Sequence, residues 1–435
     1  MFAAAWSARN YPWMSYFTPM TSVTGGIYKS EDGGVSWKRL EGGGFPAGAI
    51  GRIGLAAIAH GDSTRVYAVV DHEKDGGLYR SDDAGANWTA VQKDPDLGSS
   101  YFGRVTVAPN DADTVYLMGR SLKVSHDGGK TLKVMRGSPG GDDYHDFWIN
   151  PIKPEYMIAA SDQGTVVTPN GGASWSDWYK QPTGQFYCLH VDQQFPYSLY
   201  AGQQDNGSVS ITSRSDYGAI SFRDWHPVGA DERDCDVPDP DDANIVYGSG
   251  LGGRVGRFDA RTGDVQNITP SPINTYGADP RTIEHRWTWI TPLTMSPLPP
   301  HALYLGAQVL FKSDDRGQHW QTISPDLTGK SRDASACQGD VAVADARECG
   351  FGAIFTISPS PHAADEVWVG TDSGLVQRSR DGGKSWQNLT PPTLPEFATV
   401  SRIELSTLDR QIAYVAVDRH GKNIFAPMMY KNRHA

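Results

Sequence analysis

Carboxylates and amides recur at the ends of short apolar runs: Asp71-His72-Glu73, Asp162-Gln163, Gln203-Gln204-Asp205-Asn206, Asp372 and Asp418-Arg419-His420. A second series stands just ahead of such runs: His145-Asp146, Asp231-Glu232-Arg233 and Glu284-His285-Arg286. Clustered carboxylates suit cleavage of a glycosidic bond, which needs one protonated acid and one ionised base or nucleophile. Asp162, Asp205 and Asp372 are the leading candidates for that work, with Glu232 fourth. A like-charge neighbour or a semi-buried position would raise one carboxyl pKa and create the acid. His145, Asp146, Asn206, Arg286, Trp289, Asp418 and His420 are candidate ligand contacts. Trp13, Trp148, Trp287 and Trp289 could stack on sugar rings, and core packing is the competing use of each. For every acid the competing role is structural, because Asp and Asn tolerate turn geometry.

Other chemistries find no footing. There is no Gly-x-Ser-x-Gly nucleophile elbow, His-Glu-x-x-His site or phosphate loop. Cys-x-x-Cys is missing too, so no zinc site is expected; neither metal nor cofactor enters the reading. The formal net charge is −11, and a chain of that sign repels phosphate, which excludes a nucleic-acid partner. No apolar run approaches the ~18 residues of a membrane span. Of the four cysteines, Cys337 and Cys349 flank a polar loop and could pair in an oxidising compartment, whereas Cys188 and Cys235 sit in strand-like runs and read as buried free thiols.

The elements that must position these residues come from a repeat. Ser30–Trp37 (SEDGGVSW), Ser81–Trp88 (SDDAGANW), Ser125–Leu132 (SHDGGKTL), Thr168–Trp175 (TPNGGASW), Ser313–Trp320 (SDDRGQHW) and Ser379–Trp386 (SRDGGKSW) share Ser/Thr-x-Asp-x-Gly-x-x-Trp. The first four begin 51, 44 and 43 residues apart, the period of a four-stranded propeller blade. Each box reads as the hairpin turn between the third and fourth strands of such a blade. The Asp accepts hydrogen bonds from turn amides, the Gly takes positive φ, and the Trp anchors neighbouring sheets. Two further strands precede each box, as in RVYAVV and IGRIGLAAIA. Ser208–Val228 and Gly252–Thr269 keep the strand pattern without the box. The fold class is therefore all-β, a β-propeller of four-stranded antiparallel blades.

The strand count runs as three strands over Phe2–Leu40, seven full units to about Pro392, and three more over Thr399–Lys431. Ends of that kind do not close on each other, so the expectation is a section of a longer array whose missing blades are its partners; a single eight-bladed ring is the alternative. Pro325–Gly350 is the longest irregular stretch, of the length that lids and binding loops have.

The box resembles the Asp-box, or bacterial neuraminidase repeat, of sialidases, xyloglucanase-type glycoside hydrolases, sortilin ectodomains and a photosystem II assembly factor. Longer strings make the chain similar to large secreted bacterial sortilin-like proteins: YHDFWINP at Tyr144–Pro151, QFYCLHVDQQFPYSLYAGQQDNG at Gln185–Gly207, RWTWITP at Arg286–Pro292 and VLFKSDDRGQHWQTISPDLT at Val309–Thr328. GTDSGLVQRSRDGGKSWQNL at Gly370–Leu389 and VAVDRH at Val415–His420 extend the likeness. The resemblance implies two consecutive seven-bladed propellers, with residues 1–180 the last part of the first and 184–435 the first five blades of the second. It also implies an extracytoplasmic protein that binds, with hydrolysis left open, a glycan in an acidic cleft; the alternative is a non-catalytic platform for a peptide or protein. Departures are Asn170 in place of one box Asp and Leu132 in place of one box Trp. A sialidase would carry an Arg-Ile-Pro string and an arginine cluster, and the string does not occur here.

Overall fold

A computed structural model describes residues 1–6, 21–98, 101–177, 183–229, 231–233, 235–271, 284–329, 352–395, 398–420 and 424–432. Trp13, Cys337, Cys349 and all but the first few residues of the Pro325–Gly350 stretch lie outside them. The described chain is all-β, with no α-helix and no helix long and apolar enough to cross a membrane among those residues. It divides into two compact units, one ending at Thr183 and one running from Gly184.

In the first unit, β1 (Phe2–Ala5), β2 (Gly26–Lys29) and β3 (Lys38–Arg39) make a three-stranded sheet. Next come β4 (Ile53–His60), β5 (Ser63–Val70), β6 (Gly77–Ser81) and β7 (Thr89–Gln92), then β8 (Arg104–Ala108), β9 (Asp111–Met118), β10 (Leu122–Ser125) and β11 (Lys133–Arg136). The sheet of β12 (Tyr144–Ile149), β13 (Met157–Ser161) and β14 (Gly164–Thr168) has three strands rather than the expected four, although Ser176 still pairs with the Val167 carbonyl where a fourth would begin.

The second unit opens with β15 (Phe186–Val191), β16 (Ser198–Gln203), β17 (Gly207–Thr212) and β18 (Trp225–Pro227). There follow β19 (Asp236–Pro238), β20 (Ile245–Ser249), β21 (Val255–Asp259) and β22 (Asp264–Asn267), and β23 (Leu293–Met295), β24 (Leu303–Gly306), β25 (Leu310–Ser313) and β26 (Gln321–Thr322). It ends with β27 (Ile354–Pro359), β28 (Val367–Thr371), β29 (Val376–Ser379) and β30 (Gln387–Asn388), and a three-stranded sheet of β31 (Thr399–Leu405), β32 (Ala413–Asp418) and β33 (Met428–Asn432). Every sheet is an antiparallel meander in chain order, the blade of a β-propeller fold. The two units without a box, Ser208–Val228 and Gly252–Thr269, form the last strands of complete four-stranded sheets.

The apolar residues do not sit inside sheets but between them. Each cluster of buried side chains spans one junction: Ile27 of the first sheet meets Val66 and Ala68 of the second, and Leu78 of the second meets Val105 and Val115 of the third. Tyr116 meets Phe147 at the third junction of this unit. In the second unit the same holds for Tyr247 with Leu303, Tyr304 with Val367, and Trp368 with Val400. The smallest cluster among the described residues joins β15–β18 to the next sheet through buried Tyr200, Val228 and Val246, with Phe258 packed against them. Cys188 and Cys235 form a disulfide across that junction, with Cα atoms 4.8 Å apart, so the free-thiol expectation for this pair is corrected. Both cysteines stand on or beside the first strand of consecutive sheets, and stacking the sheets brings them together.

The boxes form the turns their residues dictate. In the Ser379–Trp386 box, Asp381 accepts the Ser385 amide at 2.9 Å and the Ser379 hydroxyl at 2.9 Å, and Gly383 has φ +95°. Asn170 does the same work with its amide oxygen and adds a donated bond to Ser174. Leu132 packs against the cluster of Tyr67 and Leu78 in place of a Trp. The second box glycine faces the preceding sheet closely: a Cβ on Gly383 would lie 2.4 Å from the Ile323 carbonyl oxygen.

Candidate ligand site

In an antiparallel meander the box turns occupy one end of each sheet, and the loops after the second and fourth strands occupy the other. Asp71, Asp162 and Asp372 are each the first residue after a second strand, β5, β13 and β28. What surrounds that position decides what each carboxylate can do.

Asp162 lies in a cluster of polar and aromatic groups. In β12 the register slips between Tyr144 and Asp146, so His145 is the extra residue of a β-bulge, a device that re-aims a side chain. Its Nε2 lies 2.9 Å from Asp162 Oδ1, and the Tyr101 hydroxyl donates to Asp162 Oδ2 at 3.3 Å. The Tyr101 ring meets the imidazole edge-on at 4.9 Å and the Phe102 ring stacks on it at 5.7 Å. Arg52 holds this aromatic pair in place by donating to the Tyr101 carbonyl at 2.8 Å. The Asp162 side chain is 13% exposed and that of His145 34%, which leaves a ligand access to both. Asp143, at φ +50°, is pushed above the usual carboxyl range by burial and by the charges of Asp162 and Asp142, against the pull of His145 and Arg120. Gln163 donates to Asp142 and accepts the Asp142 amide at 2.9 Å, which ties the two loops together. Asp146 is exposed and paired with Arg104 at 3.0 Å.

Asp372, in the second unit, is fully buried. Its Oδ1 accepts the Ala353 amide at 2.9 Å, while Oδ2 is buried with no hydrogen-bond partner among the described residues. Burial pushes its carboxyl up to about 7, partly offset by the Ala353 amide and the Arg286 charge. Asp71 repeats the pattern in the first unit, with burial pushing it up to about 6. Arg286 is committed to the fold: it donates to the Gly352 carbonyl at 3.0 Å, Asp326 at 2.7 Å and Thr328 at 3.2 Å. Asp372 thus has no solvent exposure and its Oδ1 is bound to the Ala353 amide.

The remaining candidates form small local groups. Glu232 is ion-paired with Arg233, whose guanidinium lies 3.8 Å over the Trp289 ring. Asp205 occupies the left-handed position of a turn at φ +61° and accepts from Gln204 at 2.7 Å, and the exposed Asn206 donates to the Gln204 carbonyl. Asp418 and His420 pair across two residues at 2.5 Å on the surface. Trp287 stacks on Phe311 at 6.1 Å, and Trp148 is half exposed.

The structure thus brings His145 and Asp162 together and adds Tyr101, Phe102 and Asp143, which sequence reasoning did not single out. The signal for Asp143 was its place two residues before His145. Tyr101 and Phe102 carried no such signal, because the contacts that seat them come from residues more than forty positions away. Among the described residues no group of three His, Cys, Asp or Glu side chains is arranged to hold a metal ion.

No protein-family model matches the sequence, and no curated protein matches it. Among solved structures, the chain is similar to YCF48 bound to a D1 peptide, at 13% identity and TM-score 0.34, over 76% of this chain and 92% of that one. It is similar to the GH74 enzyme of Niastella koreensis at 13% identity and TM-score 0.30, over 95% and 70%. A GH74 xyloglucanase from Xanthomonas campestris is similar at 18% identity and TM-score 0.31, over 88% of this chain and 59% of that one.

Proposed function

We propose that this chain is a glycan-binding β-propeller protein and that the His145–Asp162–Tyr101 cluster is its ligand site. The observation that carries the reading is the combination there of an ionisable dyad, a tyrosine hydroxyl and an aromatic wall. Carboxylate and imidazole groups form directional bonds to sugar hydroxyls, while ring faces pack on the apolar C–H faces of pyranoses. Asp143 supports a hydrolytic use of the same site. Its carboxyl is pushed toward the protonated form by burial and by the neighbouring charges of Asp162 and Asp142, the direction a general acid needs.

A glycan array, followed by reducing-sugar release on any glycan captured, tests both levels. Binding abolished by Asp162→Asn and His145→Ala, with the fold intact, is the expected result. An array without any hit removes the glycan reading and leaves the peptide platform. Capture without release, unaffected by Asp143→Asn, leaves binding alone.

The Cys188–Cys235 disulfide supports an extracytoplasmic location, since such bonds persist in oxidising compartments. Non-reducing peptide mapping of protein from its native source, with both thiols found free, would sink that assignment. The division at residue 184 supports reading the units as parts of two successive propellers.

A further inference from the structure

A junction in each unit carries a buried ion network, in the same place and with opposite signs. Val66 lies across from Ser81, the first residue of its box, and Val367 lies across from Ser379, the first residue of another. The residues just before them, Arg65 and Glu366, therefore hold matching places, and both are buried. Arg65 pairs with Asp82, the second residue of its box, and with Asp113 of β9, the second strand of the next sheet, each at 2.5 Å. Glu366 pairs with Arg380, the second residue of its box, and with Arg410, in the turn before β32, the second strand of the next sheet, each at 3.4 Å. The centre has changed sign, and so has each partner. Apolar packing does not tell the two junctions apart: Tyr67, Leu78, Val105 and Leu117 fill one, and Trp368, Val376, Ile403 and Val415 the other.

We propose that these charges are identity marks, by which each sheet accepts its own successor in folding and refuses the other. The sheets share one backbone plan, and chains built from like units are prone to misassembly. Were the successors exchanged, Asp113 would face Glu366 and Arg410 would face Arg65. A buried charge set against its own sign loses its partner and keeps its desolvation cost, so the wrong junction is unstable.

Melting and refolding of the full chain from denaturant test this. Asp113→Arg, at a half-exposed position, sets a second cation beside Arg65 and should lower the melting temperature by about 10 °C. Adding Arg65→Glu and Asp82→Arg repeats the Glu366 network in the first unit and should return the melting temperature to within about 3 °C of native. Arg80 and Arg378 hold matching places across from Tyr67 and Trp368, and Arg378 already has a box arginine, Arg380, two residues on. In this triple variant both junctions carry the same signs, either successor fits either one, and the yield of refolded native chain should fall to about half. Exchanging the second network too, by Glu366→Arg, Arg380→Asp and Arg410→Asp, should bring the yield back. An unchanged melting temperature for Asp113→Arg, or no recovery in the triple variant, would show that the charges do not sense one another and would overturn the proposal. So would a triple variant that refolds at the native yield, or a sixfold variant no better than the triple, because the charges would then hold the junctions without sorting them.

Discussion

Trp320 donates its indole N–H to the carbonyl of Ile268 at 2.7 Å, across the junction between two sheets. Trp386 repeats the contact one sheet later, bonding the Ile323 carbonyl at 3.2 Å. Each side chain thereby secures the sheet before it, and Trp386 also bonds the Gly383 carbonyl of its own box at 3.2 Å. Trp320→Ala and Trp386→Ala should each cost about 3 kcal/mol, the lower end for loss of a packed aromatic. Trp37, 42% exposed and bonded to Gly34 within its own box, should cost less than about 1 kcal/mol. Denaturant titration of the three variants checks the order; equal losses would mean that the junction contact contributes nothing.

The disulfide reinforces the junction with the smallest apolar cluster. It closes a loop of 47 residues, for which chain-entropy arguments give about 4 kcal/mol. A chain with Cys188→Ala and Cys235→Ala should lose stability of that order. Hydrogen exchange should rise first in β15–β18, while β27–β30 keeps its protection. Uniform loss of protection throughout the second unit would contradict this.

Asp372 should make stability fall as pH rises. Its folded pKa, about 7, lies above the ordinary carboxyl value of 3.8, so between these limits the folded chain holds a proton that the unfolded chain has released. The stabilisation is complete below about pH 4 and is lost as pH climbs through 7, by up to about 1.4 kcal/mol per pH unit. Asp372→Asn keeps the acceptor for the Ala353 amide and removes the ionisation. The variant and native melting temperatures should agree near pH 4 and diverge in favour of the variant by pH 8. A gap independent of pH would rule out a titrating Asp372.

The box aspartates should act in the opposite sense. Hydrogen bonds from Ser385 hold the Asp381 carboxyl down at about 2, so its contribution is present above 3.8 and is lost as pH falls toward 2. Asp381→Ala should lower the melting temperature, and Asp381→Asn should lower it less, since Asn170 already fills this position in another box. Equal effects of the two substitutions would show that the acceptor oxygen is not what matters.

The turns were legible in the sequence because their chemistry is local: Ser, Asp and Gly within five positions specify the box, and its spacing specifies the sheets. Cys188 and Cys235 also left a trace, since their separation of 47 residues falls between the 43 and 51 of the box spacing. Residues one repeat apart meet when successive sheets stack. The burial of Asp372 was not legible, because the Gly352–Ala353 segment that meets it is nineteen or more positions upstream. Nor was the aromatic wall around His145, which requires knowing that Arg52 reaches Tyr101 49 residues further on.

The boxes and the His145–Asp162 cluster lie at opposite ends of their sheets, and this separates two kinds of heredity. Substitutions that erode a box weaken the union of two sheets but leave the far loops chemically unchanged. Substitutions in the loop after β13 change the groups around His145 and Asp162, while the recurring turns continue to hold the sheets in register. In such a chain the far loops can change in sequence without first gathering spare stability in the boxes.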